Sequence, residues 1–196
     1  MNPRLNALRK QIRLLEDELV LATGKGETRL FQIEGRKIGF TDATKARHKE
    51  LRIASHQYLL SSTAPVLLTI PFVWICLIPV VFADLVFSFY QAVCFPIYGI
   101  PKVIRGDYFA YDRHRLGYLN FIEKLNCEYC AYGNGALAYF MEIASRTEQH
   151  WCPIKHAGCD KCSGSRTRKF LEFGDAESYR KKIEDVRSDY DDLNPE

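Results

Sequence analysis

Tyr58 to Pro101 reads YLLSSTAPVLLTIPFVWICLIPVVFADLVFSFYQAVCFPIYGIP, 44 residues with a single charge at Asp84. A helix crossing the hydrocarbon core of a bilayer needs about 20 apolar residues. The stretch is long enough for two arms and longer than a buried helix of a soluble protein. Because 57 more polar residues precede it, it reads as a retained anchor rather than a cleaved leader. Lys45, Arg47, Lys49 and Arg52 lie before it, and Lys102, Arg105, Arg113 and Arg115 lie after it. Lys and Arg near membrane ends stay cytoplasmic, so both ends are expected there. The expectation is a helical hairpin, spanning or re-entrant, with arms over 59–82 and 85–102 and Asp84 capping the second arm at a far-side turn. A single crossing from Leu59 to Ala83, with Leu85 to Ile104 as an interfacial helix beyond it, is the alternative. Pro65, Pro71, Pro79, Pro96 and Pro101 free carbonyls that a neighbouring helix must satisfy, so the two arms are expected to pack together.

Taken whole, the 196-residue chain is ordinary: 47% apolar and 26% charged, which excludes a disordered or collagen-like protein. Its 27 Lys and Arg against 24 Asp and Glu leave +3, far below the basic excess of nucleic-acid binding, and no nucleic-acid partner is expected. Leu5, Leu8, Ile12, Leu15, Leu19 and Ala22 recur at steps of three and four, the seam of a short coiled coil. That seam is basic in its first half and acidic in its second, which an antiparallel partner would match. A homo-oligomer or a membrane-protein partner is therefore expected beside the lipid bilayer. A helix laid on its own protein or on anionic lipid is the alternative.

Four regions follow: an N-terminal helix, short β segment and linker helix over 1–57, the membrane hairpin over 58–104, a cytoplasmic Cys-rich helical module over 105–165, and a charged C-terminal helix within 166–196. The fold class is mainly α. Arg29 to Phe40 reads as a hairpin, and Thr41 to Gln57 as a polar helix. Arg115 to Tyr132 and Ala136 to His150 read as two helices separated by a turn at Tyr132-Gly133-Asn134-Gly135. Gly174-Asp175 marks the start of a last helix, Ala176 to Tyr190.

Cysteine supplies the chemistry. Cys76 and Cys94 fall in the apolar block, where they read as small packing residues. Cys127, Cys130, Cys152, Cys159 and Cys162 cluster after it. An odd count and the absence of an N-x-[ST] sequon argue against a disulfide framework. Cys127 with Cys130 and Cys159 with Cys162 have the C-x2-C spacing that lets two thiolates of one turn reach one ion. Four such sulfurs complete a tetrahedral site for structural zinc or iron. A second set keeps the first pair and adds Cys152 and His156, whose C-x3-H spacing fits one helical turn. Cys152-Pro153 after Trp151, and Cys130-Ala-Tyr-Gly, resemble the knuckles of rubredoxin and zinc-ribbon proteins, a resemblance that departs from rubredoxin where Cys152 lacks a C-x2-C partner.

The spacing points to a membrane-anchored metal-binding protein acting within a membrane assembly, with a structural or electron-transfer role ahead of catalysis. Iron or an iron-sulfur centre would make it a membrane redox partner. An enzyme reading rests on Asn126-Cys127-Glu128 followed by Tyr132-Gly133, which resembles the NCE box of the LRAT-like thiol acyltransferases and hydrolases. The resemblance implies Cys127 as nucleophile. It also requires an upstream strand histidine, and Arg29 to Phe40 holds none.

Overall fold

The computed structural model describes Gln11, Leu15 and residues 31–34, 37–61, 63–158 and 164–193. Among these the chain is mainly helical and forms two compact units, Met1–Ala54 with Arg115–Asn120, and Ser55–His114 with Phe121–Glu196. The N-terminal leucine seam lies outside the described residues except for Leu15.

In the first unit β1 (Phe31–Glu34) pairs antiparallel with β2 (Lys37–Phe40), Phe31 opposite Phe40, the hairpin expected there. Helix α1 (Asp42–Glu50) begins at Thr41, whose hydroxyl accepts the Thr44 N–H at 3.3 Å and so satisfies one of the free donors of the first turn. The His48 ring meets Phe40 and Tyr118 edge-on, each at 5.0 Å between centroids. The polar run from Thr41 to Gln57 is thus two helices and a break: α1 stops at Glu50, and α2 (Ser55–Ser61) opens the second unit.

In the second unit α3 (Ala64–Ile75) and α4 (Leu77–Tyr98) are joined by Cys76, which keeps right-handed helical dihedrals. Ala64–Tyr98 is therefore one helix of 35 residues, long and apolar enough to cross a membrane. The turn expected at Asp84 is absent. Asp84 sits in the body of α4, and its carboxylate is satisfied by protein groups, so nothing obliges the helix to end there.

The helix ends instead at Gly99, in the left-handed conformation at φ 69°, where glycine carries no Cβ penalty. From there the chain runs back along α4. The Val103 N–H donates to Gln91 Oε1 at 3.0 Å, and Arg105 reaches Asp84. Thus the second arm expected over 85–102 is helical through Tyr98, in continuation of the first arm, and only its last residues belong to the return.

Helix α5 (Phe121–Trp151) then runs its 31 residues without interruption, where two helices and a turn were expected. Gly135 is there for packing. A Cβ at this position would stand 2.7 Å from the Tyr108 carbonyl oxygen and 3.0 Å from the Phe109 ring. Later residues of α5 meet later residues of the helix formed by α3 and α4: Tyr129 bonds to the Val73 carbonyl, Phe140 stacks on Phe87, Tyr90 bonds to Thr147 and His150 stacks on Tyr98. The two helices are parallel, and the return segment makes that possible. Phe95, Ile100, Val103, Tyr139, Ile143 and Tyr190 form the core beneath them. The last helix, α6 (Ala176–Ser188), starts as expected, with Asp175 accepting the Ser178 N–H at 3.0 Å.

Candidate functional site

Helix α5 carries two of the expected metal ligands and ends directly before a third, and its length decides which of them meet. Cys127 and Cys130 lie three residues apart near its start, half-buried and exposed respectively, on neighbouring positions of one turn. Cys152 directly follows its last residue and donates its N–H to the Glu148 carbonyl at 2.8 Å. With 22 residues from Cys130 to Cys152 and 1.5 Å of rise each, about 33 Å of straight helix separates them. The set Cys127, Cys130, Cys152 and His156 is therefore not brought together within one chain. The continuous helix is the reason, because no turn at Tyr132-Gly133-Asn134-Gly135 folds the two halves onto each other.

His156 lies with its Nε2 3.8 Å from Glu148 Oε1. At the other end His114 Nδ1 is 3.4 Å from Glu128 Oε1, beside Cys127. Cys159 and Cys162 lie outside the described residues. Among the described residues no group of three or more His, Cys, Asp or Glu is gathered to hold a metal.

Two ionic clusters are built into the second unit; the spacing of Glu142 and Arg146 reads as an exposed ion pair, and the structure buries that pair. In the first, Asp84, 7% exposed, takes both guanidinium arms of Arg105, one at 2.8 Å, and the Tyr132 hydroxyl at 2.8 Å. The Arg105 guanidinium also stands 4.0 Å over the Phe109 ring. A two-armed pairing of this kind fixes orientation as well as charge. It clamps the return segment to α4 and α5 together. The signal was present in sequence: a lone carboxylate in an apolar block requires a partner, and Arg105 follows 21 residues on.

In the second cluster Arg146 donates to Glu142 at 2.8 Å and to the Pro101 carbonyl at 2.8 Å, and Ser165 donates to Glu142 at 2.6 Å. Next to it Arg166 binds Gln149 at 2.6 Å and both oxygens of Asp192 at 2.6 and 3.0 Å. The Arg166 guanidinium, helped by Lys169, holds the Asp192 carboxyl well below the usual carboxylate range against the opposing effect of burial. Burial pushes the Tyr190 phenol up to about 12, and its hydroxyl donates to the Arg146 carbonyl at 3.0 Å. These groups are saturated by one another. They hold the C-terminal segment against α5.

Comparison with protein-family models, curated proteins and solved structures returns no match.

Proposed function

We propose that this is a membrane-anchored metal-binding protein acting as a component of a membrane assembly, with both polar flanks of its anchor on the cytoplasmic side. The observation that carries the reading is the helix Ala64–Tyr98, which is uncharged but for Asp84 and exposes apolar side chains such as Leu68, Phe72, Phe82 and Phe89 along its length. Water would oppose that surface by roughly 25 cal/mol for every Å² exposed, and a bilayer removes the opposition.

The metal half of the reading is supported by spacing. With Cys127 and Cys130 held at the far end of α5, the remaining donors Cys152, His156, Cys159 and Cys162 fall within 11 residues, a complete tetrahedral complement for zinc or iron. Assembly is supported by the N-terminal leucine seam. The acyltransferase-like reading draws no support from β1 and β2, which carry no histidine.

Metal analysis of the full chain purified in detergent tests the proposal. Stoichiometric zinc or iron is expected, lost in Cys152→Ser, Cys159→Ser and Cys162→Ser and retained in Cys127→Ser. A wild-type protein without metal refutes it. An iron spectrum would make the role electron transfer.

A further inference from the structure

We infer that α5 is a second membrane-contacting element, and that α4 and α5 together lie in the plane of the bilayer surface as a two-helix layer with one face in lipid. The inference rests on the membrane-anchored reading and goes beyond it, since α5 is not apolar enough to be recognised as a membrane helix by composition.

The first observation is an inversion of polarity. Helix α5 contains six Asp, Glu, Lys or Arg residues, of which Glu142 and Arg146 are buried and the other four half-buried. Its exposed positions after the first turn are uncharged, and Leu137, Ala138, Met141 and Ala144 form the latter half of that face. Glu142 and Arg146 are turned inward and paired. A charge pair held in the interior beside an exterior without charges, apolar in its latter half, is the arrangement lipid favours and water does not.

The second observation is the placement of that face. On α4 every exposed position is apolar, including Phe82, Leu85, Val86, Phe89, Val93 and Ile97. Around α4, the residues touching α5 (Phe87, Tyr90) lie between those touching the return segment (Asp84, Gln91) and the exposed Val86 and Ile97. Around α5, Tyr129, Phe140 and Thr147, which touch α4, lie between Gly135 and Glu142 on one side and Ala144 and Leu137 on the other. The order runs in opposite rotational senses on the two helices. For parallel neighbours that puts both exposed faces on one side of the pair, with the return segment on the other.

The third observation is length. At 1.5 Å per residue the 35-residue helix is about 52 Å long, against a hydrocarbon core of roughly 30 Å. An upright helix would drive one end, with its apolar face, far into water. Lying in the surface, it keeps the whole face in lipid. The charged return segment, with Lys102 and Asp107 exposed, stays in water. The Lys and Arg clusters on both sides of the apolar stretch then face the same side of the membrane, so the tie in their number is explained.

Tryptophan depth measurement in vesicles tests this. In the full chain with Trp74→Phe and Trp151→Phe, single tryptophans are placed by Phe82→Trp, Val93→Trp and Met141→Trp, each checked by circular dichroism. Quenching by brominated acyl chains is expected to agree within about twofold at all three positions. Tags at the two termini, probed in sealed vesicles without any tryptophan change, are expected on one side. Depths at 82 and 93 differing by about 16 Å, the rise of 11 residues, would overturn the inference in favour of an upright crossing. So would tags on opposite sides. Quenching of Met141→Trp by acrylamide alone, with Phe82→Trp still quenched from lipid, would overturn the role of α5 and spare the anchor. Shielding of Met141→Trp from both quenchers would mean that a second copy or another protein covers the face. No lipid quenching at any position would refute the membrane-anchored reading itself.

Discussion

Helices α5 and α6 dispose of their charges in opposite ways. In α6 the exposed positions are Glu177, Arg180, Lys181, Lys182, Glu184 and Asp185 among others, while Tyr179, Ile183 and Val186 turn toward the body of the unit. That is the pattern of a helix solvated by water on one side. In α5 Glu142 and Arg146 are turned inward, the other four charged residues are half-buried, and the fully exposed positions are uncharged. Both helices belong to one compact unit, so the difference reports what lies outside each of them. It also shows that a moderately polar helix can present an apolar face, because its polar groups are consumed inside by partners from other segments.

The largest effect should come from breaking the inward pairing of α5. Arg146→Ala leaves Glu142 buried with only Ser165 as donor, and removal of one member of a buried pair costs about 3–5 kcal/mol. Denaturant unfolding followed by circular dichroism should show that loss, and Arg146→Met with Glu142→Gln should recover most of it. A loss below about 0.5 kcal/mol, the range of surface changes, would mean that α5 has no inverted polarity to break.

Next comes one substitution made on the two faces. Met141→Lys places a charge on the exterior of α5 and should weaken retention on vesicles, by less than the roughly 3 kcal/mol that lysine costs at a bilayer centre. Glu177→Lys on α6 should leave vesicle flotation unchanged. Equal behaviour of the two variants would erase the distinction between the helices.

The smallest effect concerns acid. Asp192 is held below the usual carboxylate range by Arg166, so its contribution to stability is present above the ordinary aspartate pKa of about 4 and is lost as pH falls below it. Proteolysis of the C-terminal segment should therefore accelerate below about pH 4 in the wild type, and Asp192→Asn should show the fast rate already at neutral pH. A pH-independent rate in the wild type would remove Arg166 and Asp192 as the closure of the segment.

Local chemistry was legible wherever it was decided within a few residues. The β hairpin, the start of α1 at Thr41, the start of α6 at Asp175 and the apolar block were all readable, because caps, turns and hydropathy act over one or two turns of chain. Two misreadings share one cause. Asp84 reads as a helix end and Tyr132-Gly133-Asn134-Gly135 as a turn, each on the polarity or flexibility of the residues alone. In each place a distant segment supplies the explanation: Arg105 for the carboxylate, and the close passage of Tyr108 and Phe109 for Gly135. The ligand sets were legible as spacing. Their separation was not, since it depends on α5 being unbroken.

Composition and periodicity by themselves determined that the chain is mainly helical, that 44 residues carry one charge, and where the polar arms begin. Those are sums and repeats along the chain. The tertiary structure alone decided that Glu142 and Arg146 point inward, that α4 and α5 are parallel with their uncovered faces on one side, and that Cys130 and Cys152 stand at opposite ends of one helix. A hydropathy average weighs every side chain of a helix equally, whereas solvent or lipid meets only the side that no neighbour covers.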